Sequence, residues 1–311
     1  MGSVLVVGAL HHDVIVSAER LPALDETLPG TGVIYALGGK GGNQAVAAAR
    51  LGAKVAFAGR VGQDDAGRSM TAQLAADGLD VSRIAIDARL ASGMSVAIVT
   101  QVGDYGAVIV SGANMAIDGN AVTLPEDCDL VLLQNEVPET ANLAVARKAV
   151  TVGARVILNA APARPVSPEL LALTDVLIVN RVEAEMIGRG LDGFDGTLIE
   201  TRGGDGCLVR IPRAATRHLP AFQVDVVSTH GAGDCFTGAL ASRLTADGDL
   251  DRAIRFAVAA AALHVSTPVD RRAAISSNEV TLLLETRHAD GHRSAADAGT
   301  ADGDAQHGPR R

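Results

Sequence analysis

The chain contains no tryptophan, two tyrosines and five phenylalanines in 311 residues. That scarcity excludes a base-stacking platform for single-stranded nucleic acid, which works through aromatic faces. The core must then be built from Ala, Val, Leu and Ile, and a hydrophobic content of 48% supplies it. Lysine is scarce too. Arginines far outnumber it but are scattered, no basic run occurs, and the formal net charge is −9. A duplex-binding protein needs a basic face to displace counterions, so no nucleic-acid partner is expected. Any phosphate must be held by local devices. The three cysteines, Cys128, Cys207 and Cys235, lie far apart without CxxC spacing. Free thiols in a reducing compartment are the expectation. The opening MGSVLVVGAL has no basic flank, and its apolar run is too short to cross a bilayer. No membrane partner and a cytoplasmic location follow as expectations.

What is present is a rhythm. Short, continuously apolar runs recur at 4–8, 54–59, 129–135, 155–160, 175–180 and 197–201. They suit strands buried on both faces of a parallel sheet. Between them lie Ala-rich stretches with helix punctuation. Residues 41–52 end on Gly, 64–78 run from Asp to Gly, and 138–153 run from Pro to Gly. The alternation predicts a doubly wound, mostly parallel α/β sheet flanked by helices. Two segments break it. Residues 13–37 hold short extended pieces, and 93–110 read as two strands around a Gly-Asp turn. They predict a small β lid beside the main sheet, or else two separate surface hairpins. Residues 232–287 are helical in pattern, and 251–265 are apolar nearly all round. From His288 to Arg311 no large apolar residue occurs, so a disordered tail with solvated histidines is expected. The expected organisation is one domain over 1–287 plus that tail.

Two glycine-rich segments carry chemistry. Ser228-Thr-His-Gly-Ala-Gly-Asp234 follows a strand-like run and opens a helix. Its backbone N–H groups and the helix dipole favour an anion. A carboxylate beside an anion site makes sense if Asp234 takes a proton from a hydroxyl that attacks phosphorus. The plain alternative is Asp234 as a helix cap. Leu37-Gly-Gly-Lys-Gly-Gly-Asn43-Gln also opens a helix. It is not a Walker A loop, because Gly41 follows Lys40. It suits a polyhydroxylated ligand received by backbone and amide groups, or else a flexible turn.

Together these segments resemble the two signature motifs of the ribokinase-like (PfkB-type) carbohydrate kinases. The order of other features agrees: Gly8-Ala-Leu-His-His-Asp13, Ser111-Gly-Ala-Asn114, Gln134-Asn-Glu136, Asn159-Ala-Ala-Pro-Ala-Arg164, Asn180-Arg-Val-Glu183 and Thr201-Arg-Gly-Gly-Asp-Gly206. The resemblance spans nearly the whole folded chain. Within the family, the GGKGGNQ, SGAN and APAR segments look most like members that act on ribose.

The resemblance implies ATP-dependent phosphorylation of a pentose, most simply D-ribose to ribose 5-phosphate, at its primary hydroxyl. It implies Asp234 as general base and Gly231, Ala232 and Gly233 as the anion hole. His11, Asp13, Gly39, Lys40, Gly41, Gly42, Asn43 and Glu136 would receive the sugar. Asn180, Thr201, Arg202, Gly203, Gly204, Asp205, Gly206 and Gly233 would receive ATP, with Glu183 near Mg²⁺ through water. It further implies a lid that excludes water and a homodimer formed through that lid. Singly, Asn180 can end a strand, Glu183 can cap a helix and Thr201 can sit in a turn. Alternatives are a kinase for another sugar or a nucleoside, or a catalytically weak sugar-binding or regulatory protein. A dehydrogenase is disfavoured by the missing GxGxxG after the first strand.

The chain departs from the family pattern in places. Ser228 stands where the family has Asp, at a monovalent-cation site that the resemblance would place at Ser228 and His230. Ser brings no negative charge, and 266–272 lacks the expected glycine-containing loop, so weak or absent K⁺ activation is expected. His11 replaces an Asn in the sugar-binding turn, with a bulkier ring that can gain charge near neutral pH. The stretch between Asn180 and Thr201 is short, as though a helix before the 197–201 strand were missing. Cys235, beside the proposed base, has either a lowered pKa at a helix start or an inert, buried thiol.

Overall fold

The computed structural model describes residues 2–100 and 105–286. The chain enters as β1 (Ser3–Val7), leaves for β2 (His11–Ala18) and β3 (Gly32–Gly38), and returns through α1 (Lys40–Arg50) to β4 (Lys54–Gly62). Next come α2 (Asp65–Ala76), β5 (Asp80–Asp87), β6 (Met94–Thr100) and β7 (Tyr105–Val110). The second half runs β8 (Cys128–Gln134), α3 (Glu139–Val152), β9 (Arg155–Asn159), α4 (Pro168–Ala172), β10 (Val176–Asn180) and α5 (Arg181–Ile187). Then follow β11 (Thr197–Thr201), β12 (Cys207–Arg210), β13 (Arg217–Leu219), α6 (Ala232–Asp247) and α7 (Leu250–Ser266). A last helical stretch covers 277–286. The expected tail at 288–311 lies outside the described residues.

Nine strands form the main sheet in the order β13-β12-β11-β10-β9-β8-β1-β4-β5. Every pair from β5 to β11 is parallel, and the antiparallel pairs are β11-β12 and β12-β13, so β12 alone runs against the others. The continuous apolar runs have the expected cause. Val4 and Val6 enter one core cluster with residues of α1, α6 and α7, while Leu5 and Val7 enter another with residues of α3 and α4. Successive residues of one strand serve opposite faces, so both must be apolar. The three strands that the pattern does not reveal are the two edge strands, β5 and β13, and the four-residue β12 beside the latter. They are short or carry polar residues such as Asp80, Arg83 and Arg217.

A separate sheet has the order β3-β2-β6-β7. The segments that broke the rhythm therefore pair with each other rather than forming independent hairpins. β2 and β6 run parallel, with antiparallel partners outside them. The Gly103-Asp104 turn lies outside the described residues.

Helix ends follow local chemistry. Asp64 caps α2 by accepting from the Gly67 N–H at 2.8 Å, and Gly153 closes α3 at φ 76°. Between β10 and β11 a helix is present but short, the seven-residue α5 followed by one 3₁₀ turn. A 630 Å³ cavity lined by Leu171, Arg189 and Phe194 opens beside it. Among the described residues no helix is long and apolar enough to cross a membrane.

Candidate active site

The strand ends and α6 converge where parallel sheets present ligand sites, at the C-terminal edge. Residues just past β1, β8, β9, β10 and β11 carry the motifs identified in the sequence. The turn after β1 is pinned by Asn114, whose amide accepts from the Leu10 N–H (3.0 Å) and donates to the Leu10 carbonyl (2.8 Å). The SGAN segment thus braces the turn that leads into β2.

Asp234 stands in the first turn of α6 and is buried. It does not cap its helix. Its carboxylate accepts from the side-chain amides of Gln44 (2.9 Å) and Asn43 (3.3 Å), both on α1. Two amide donors aim a buried carboxylate and leave it able to accept a further proton. The residue before α6, Gly231, has φ 77°, and a Cβ there would come within 3.1 Å of His264 Nε2. That left-handed turn opens α6, where the Ala232 N–H donates to the Thr229 carbonyl at 3.2 Å within the turn.

One cavity of 270 Å³ is lined by Asp13, Asn43, His230, Gly231, Asp234 and Arg272, among others. A second, of 320 Å³, is lined by Thr201, Gly203, Gly204, Gly206, Ala232 and Gly233 together with Phe222, Phe236 and Val258. The N-terminus of α6 stands between them. Gly231 and Asp234 face the first cavity, Ala232 and Gly233 the second. A neighbouring 420 Å³ recess is lined by Asn180, Thr201, Arg202 and Asp205.

Two carboxylates, Asp13 and Asp234, line the first cavity, while Glu136 and Lys40 lie outside its lining. Burial pushes the Asp13 carboxyl up to about 6, against the opposing pull of His230 and His12. Burial pushes the Glu136 carboxyl up to about 7. The Lys40 N–H, donating to it at 2.6 Å, and the Lys40 charge oppose that rise, while Asp234 and Asp13 add to it. Glu136 thereby ties the end of β8 to the start of α1.

Not every expected sugar residue lines that cavity. Gly39, at φ 87°, forms the sharp entry to α1. A Cβ on Gly41 would meet the Gly8 Cα at 2.7 Å, and one on Gly42 the Leu10 side chain at 2.8 Å. Gly41 and Gly42 are buried packing positions that let α1 seat against the β1 turn. His11 is buried, with Nε2 lacking a hydrogen-bond partner. Burial lowers its pKa, so the ring stays neutral rather than gaining charge near pH 7.

Asn180 and Glu183 form a reciprocal capping box on α5. Asn180 Oδ1 accepts from the Glu183 N–H (2.9 Å), and Glu183 accepts from the Asn180 N–H (2.7 Å) and Nδ2 (3.0 Å). The Glu183 carboxylate is buried, and burial raises its pKa. The Thr201 hydroxyl donates to the Val179 carbonyl at 3.3 Å, and Arg202 pairs with Glu200 at 2.9 Å. The Asp205 carbonyl accepts from His218 Nε2 at 2.6 Å. Near α6, the Ser228 Oγ accepts from the His230 N–H at 3.3 Å. Cys235 is buried and its thiol is pushed up to about 12 by burial, so it is inert.

The sequence reading assigned no role to Gln44, though it quoted it in the motif. It also left His264 and the apolar wall of Phe222, Phe236 and Val258 unassigned. Gln44 carries the one signal that reading had to hand, an amide on the helix face beside Asn43. The apolar wall gives none, because its residues read as ordinary core.

Comparison with known proteins places the chain in a family. A family profile described as pfkB family carbohydrate kinase matches residues 1–275. A ribokinase of Bacillus subtilis is 36% identical over 295 residues, covering 91% of this chain and all of its own. One from Haemophilus influenzae is 34% identical over 297 residues, covering 89% of this chain and 96% of its own. Among solved structures, Arabidopsis thaliana ribokinase complexed with ribose and ATP superposes with a TM-score of 0.82 at 28% identity, over 91% of this chain and 98% of its own. With signature motifs, topology and relatives in agreement over most of its length, the chain belongs to the pfkB family of carbohydrate kinases.

Proposed function

We propose that this ATP-dependent carbohydrate kinase phosphorylates the primary hydroxyl of a pentose, D-ribose, giving ribose 5-phosphate and ADP. The observation that carries this reading is the α6 N-terminus between two cavities, with a buried, amide-aimed carboxylate facing one of them. The sugar lies in the first cavity, its ring oriented by Asp13 and Asn43. Its primary hydroxyl donates to Asp234, which takes the proton as the oxygen attacks the γ-phosphorus. Negative charge on the transferring group meets the N–H groups of Gly231, Ala232 and Gly233, backed by the dipole of the 16-residue α6.

ATP occupies the second cavity, its base against Phe222 and Val258 and its phosphates along Thr201, Gly203 and Gly206. Mg²⁺ offsets phosphate charge when bound. The hard oxygens of Asn180 and Glu183 fit it, through waters that the ion keeps. The four-stranded sheet acts as a lid, since its strand β2 carries Asp13 to the sugar and its closure excludes water.

The outer face of that sheet leaves Val33, Tyr35, Val96 and Val108 exposed, at 50, 64, 41 and 69%. We assign it to a homodimer contact, because such a face and its strand edges otherwise meet water. The test of the function is ADP release from ATP and Mg²⁺ over a panel of sugars and nucleosides, with Asp234→Asn alongside. Ribose-dependent turnover that the variant loses supports the reading. Turnover with a different acceptor alone moves the substrate.

A further inference from the structure

The loop ahead of α6 and the stretch behind α7 close on one side chain. Arg272 donates from Nη2 to the Ser228 carbonyl (2.8 Å), from Nη1 to the His230 carbonyl (2.9 Å) and from Nε to the Thr267 carbonyl (3.2 Å). His264 Nε2 donates to the same His230 oxygen at 2.9 Å. The loop ahead of α6 is also tied to the last turn of α7, because the N–H groups of Val227 and Ser228 both donate to the Val265 carbonyl. Three backbone carbonyls from two loops thus converge on one covalently held cation.

This is where the family resemblance calls for an exchangeable monovalent ion, and the residues present do not fit one. Ser228 brings no carboxylate, and the carbonyls that would face an ion are already engaged by a guanidinium. We propose that Arg272 is the built-in cation of the anion hole, a positioning residue that replaces a bound monovalent ion.

The guanidinium acts through single peptide units. The His230 carbonyl and the Gly231 N–H belong to one peptide group. A positive charge on the oxygen polarises that group and makes its N–H a stronger donor. The Ser228 carbonyl does the same for the Thr229 N–H, and Thr229 lines the nucleotide cavity. The planar fork of Arg holds both oxygens at a fixed spacing, which a point charge does not. Because the charge is part of the chain, its occupancy does not depend on salt composition. This proposal rests on the phosphoryl-transfer reading given above.

The test uses the full chain, Arg272→Ala and Arg272→Lys in chloride salts of K⁺, Na⁺, guanidinium and choline at matched ionic strength. Two quantities are read, the melting temperature and ribose-dependent ADP release. Among K⁺, Na⁺ and choline the wild type is expected to be indifferent in both, and guanidinium is expected to do no more than lower its melting temperature slightly as a general denaturant. Arg272→Ala is expected to lose about 10- to 100-fold in kcat. It regains activity with K⁺ or guanidinium but not choline, and melts higher in the ions that restore it. Arg272→Lys keeps an intermediate kcat and no K⁺ response, because its own charge remains. A K⁺-specific activation or stabilisation of the wild type overturns the proposal. So does a folded Arg272→Ala that keeps full activity, or one that answers to no cation in either readout. Should Arg272→Ala not fold, the wild-type cation comparison decides by itself. Should the wild type turn over no sugar, the substrate reading fails separately, and the melting comparison still decides the role of Arg272.

Discussion

Replacing Glu136 with Gln should make the unliganded protein more stable at neutral pH while damaging sugar use. Burial lifts this carboxyl from an ordinary 4.5 to about 7, even though the Lys40 N–H supports its charge. At about 1.4 kcal/mol per pH unit, ionised Glu136 costs the fold about 3 kcal/mol above pH 7. The folded pKa lies above the unfolded one, so the folded state holds the proton more tightly. The penalty is absent below about 4.5, grows as pH rises, and is complete above about 7. Gln keeps an acceptor for the Lys40 N–H and removes the charge. At about 2 °C per kcal/mol for a chain of this size, Glu136→Gln should melt about 6 °C higher than the wild type at pH 8. The two should coincide at pH 4.5. Scanning calorimetry across this range is the assay. An equal or lower melting temperature at pH 8, or a gain of the same size at both pH values, refutes the reasoning.

Other predictions follow from the same geometry. Asp234→Asn keeps a partner for Gln44 but cannot take the proton, and should lower kcat by about 10²- to 10⁴-fold with little change in sugar KM; steady-state ADP release checks it. Asp13, raised to about 6, loses an acceptor when protonated. Sugar KM should therefore rise as pH falls through about 6, and Asp13→Asn should abolish that dependence. Gly231→Ala forces a side chain into φ 77° and against His264. It should cost about 1–2 kcal/mol of stability and lower kcat more than it raises KM, which denaturation and kinetics together resolve. Val108→Glu, on the exposed face of the smaller sheet, should halve the mass seen by light scattering.

The fold was readable in the sequence where physics is local and repetitive. Buried parallel strands leave uninterrupted apolar runs, and β1, β8, β10 and β11 all show them. β5 and β13 leave no such trace, because an edge strand tolerates Asp80 or Arg217, and β12 leaves none because its four residues are fully buried only at alternate positions. The motif glycines were readable as special but not in their division of labour. Gly41 and Gly42 meet their reason only when α1 docks on Gly8 and Leu10, a contact across more than 30 positions. Asn180 and Glu183 show the reverse case, since their spacing of three is enough to announce a capping box. Arg272 reached Ser228 only through the closure of two loops more than 40 residues apart, so its partners had no local signature.

The central claim is transfer of phosphate to the primary hydroxyl with Asp234 as base. Phosphorus NMR of the full chain with ATP, Mg²⁺ and D-ribose tests it most directly, with Asp234→Asn run in parallel. ADP is expected together with a phosphomonoester coupled to the C5 methylene protons, with neither formed at a comparable rate by the variant. ADP accompanied only by inorganic phosphate, or equal product formation by the variant, would contradict it.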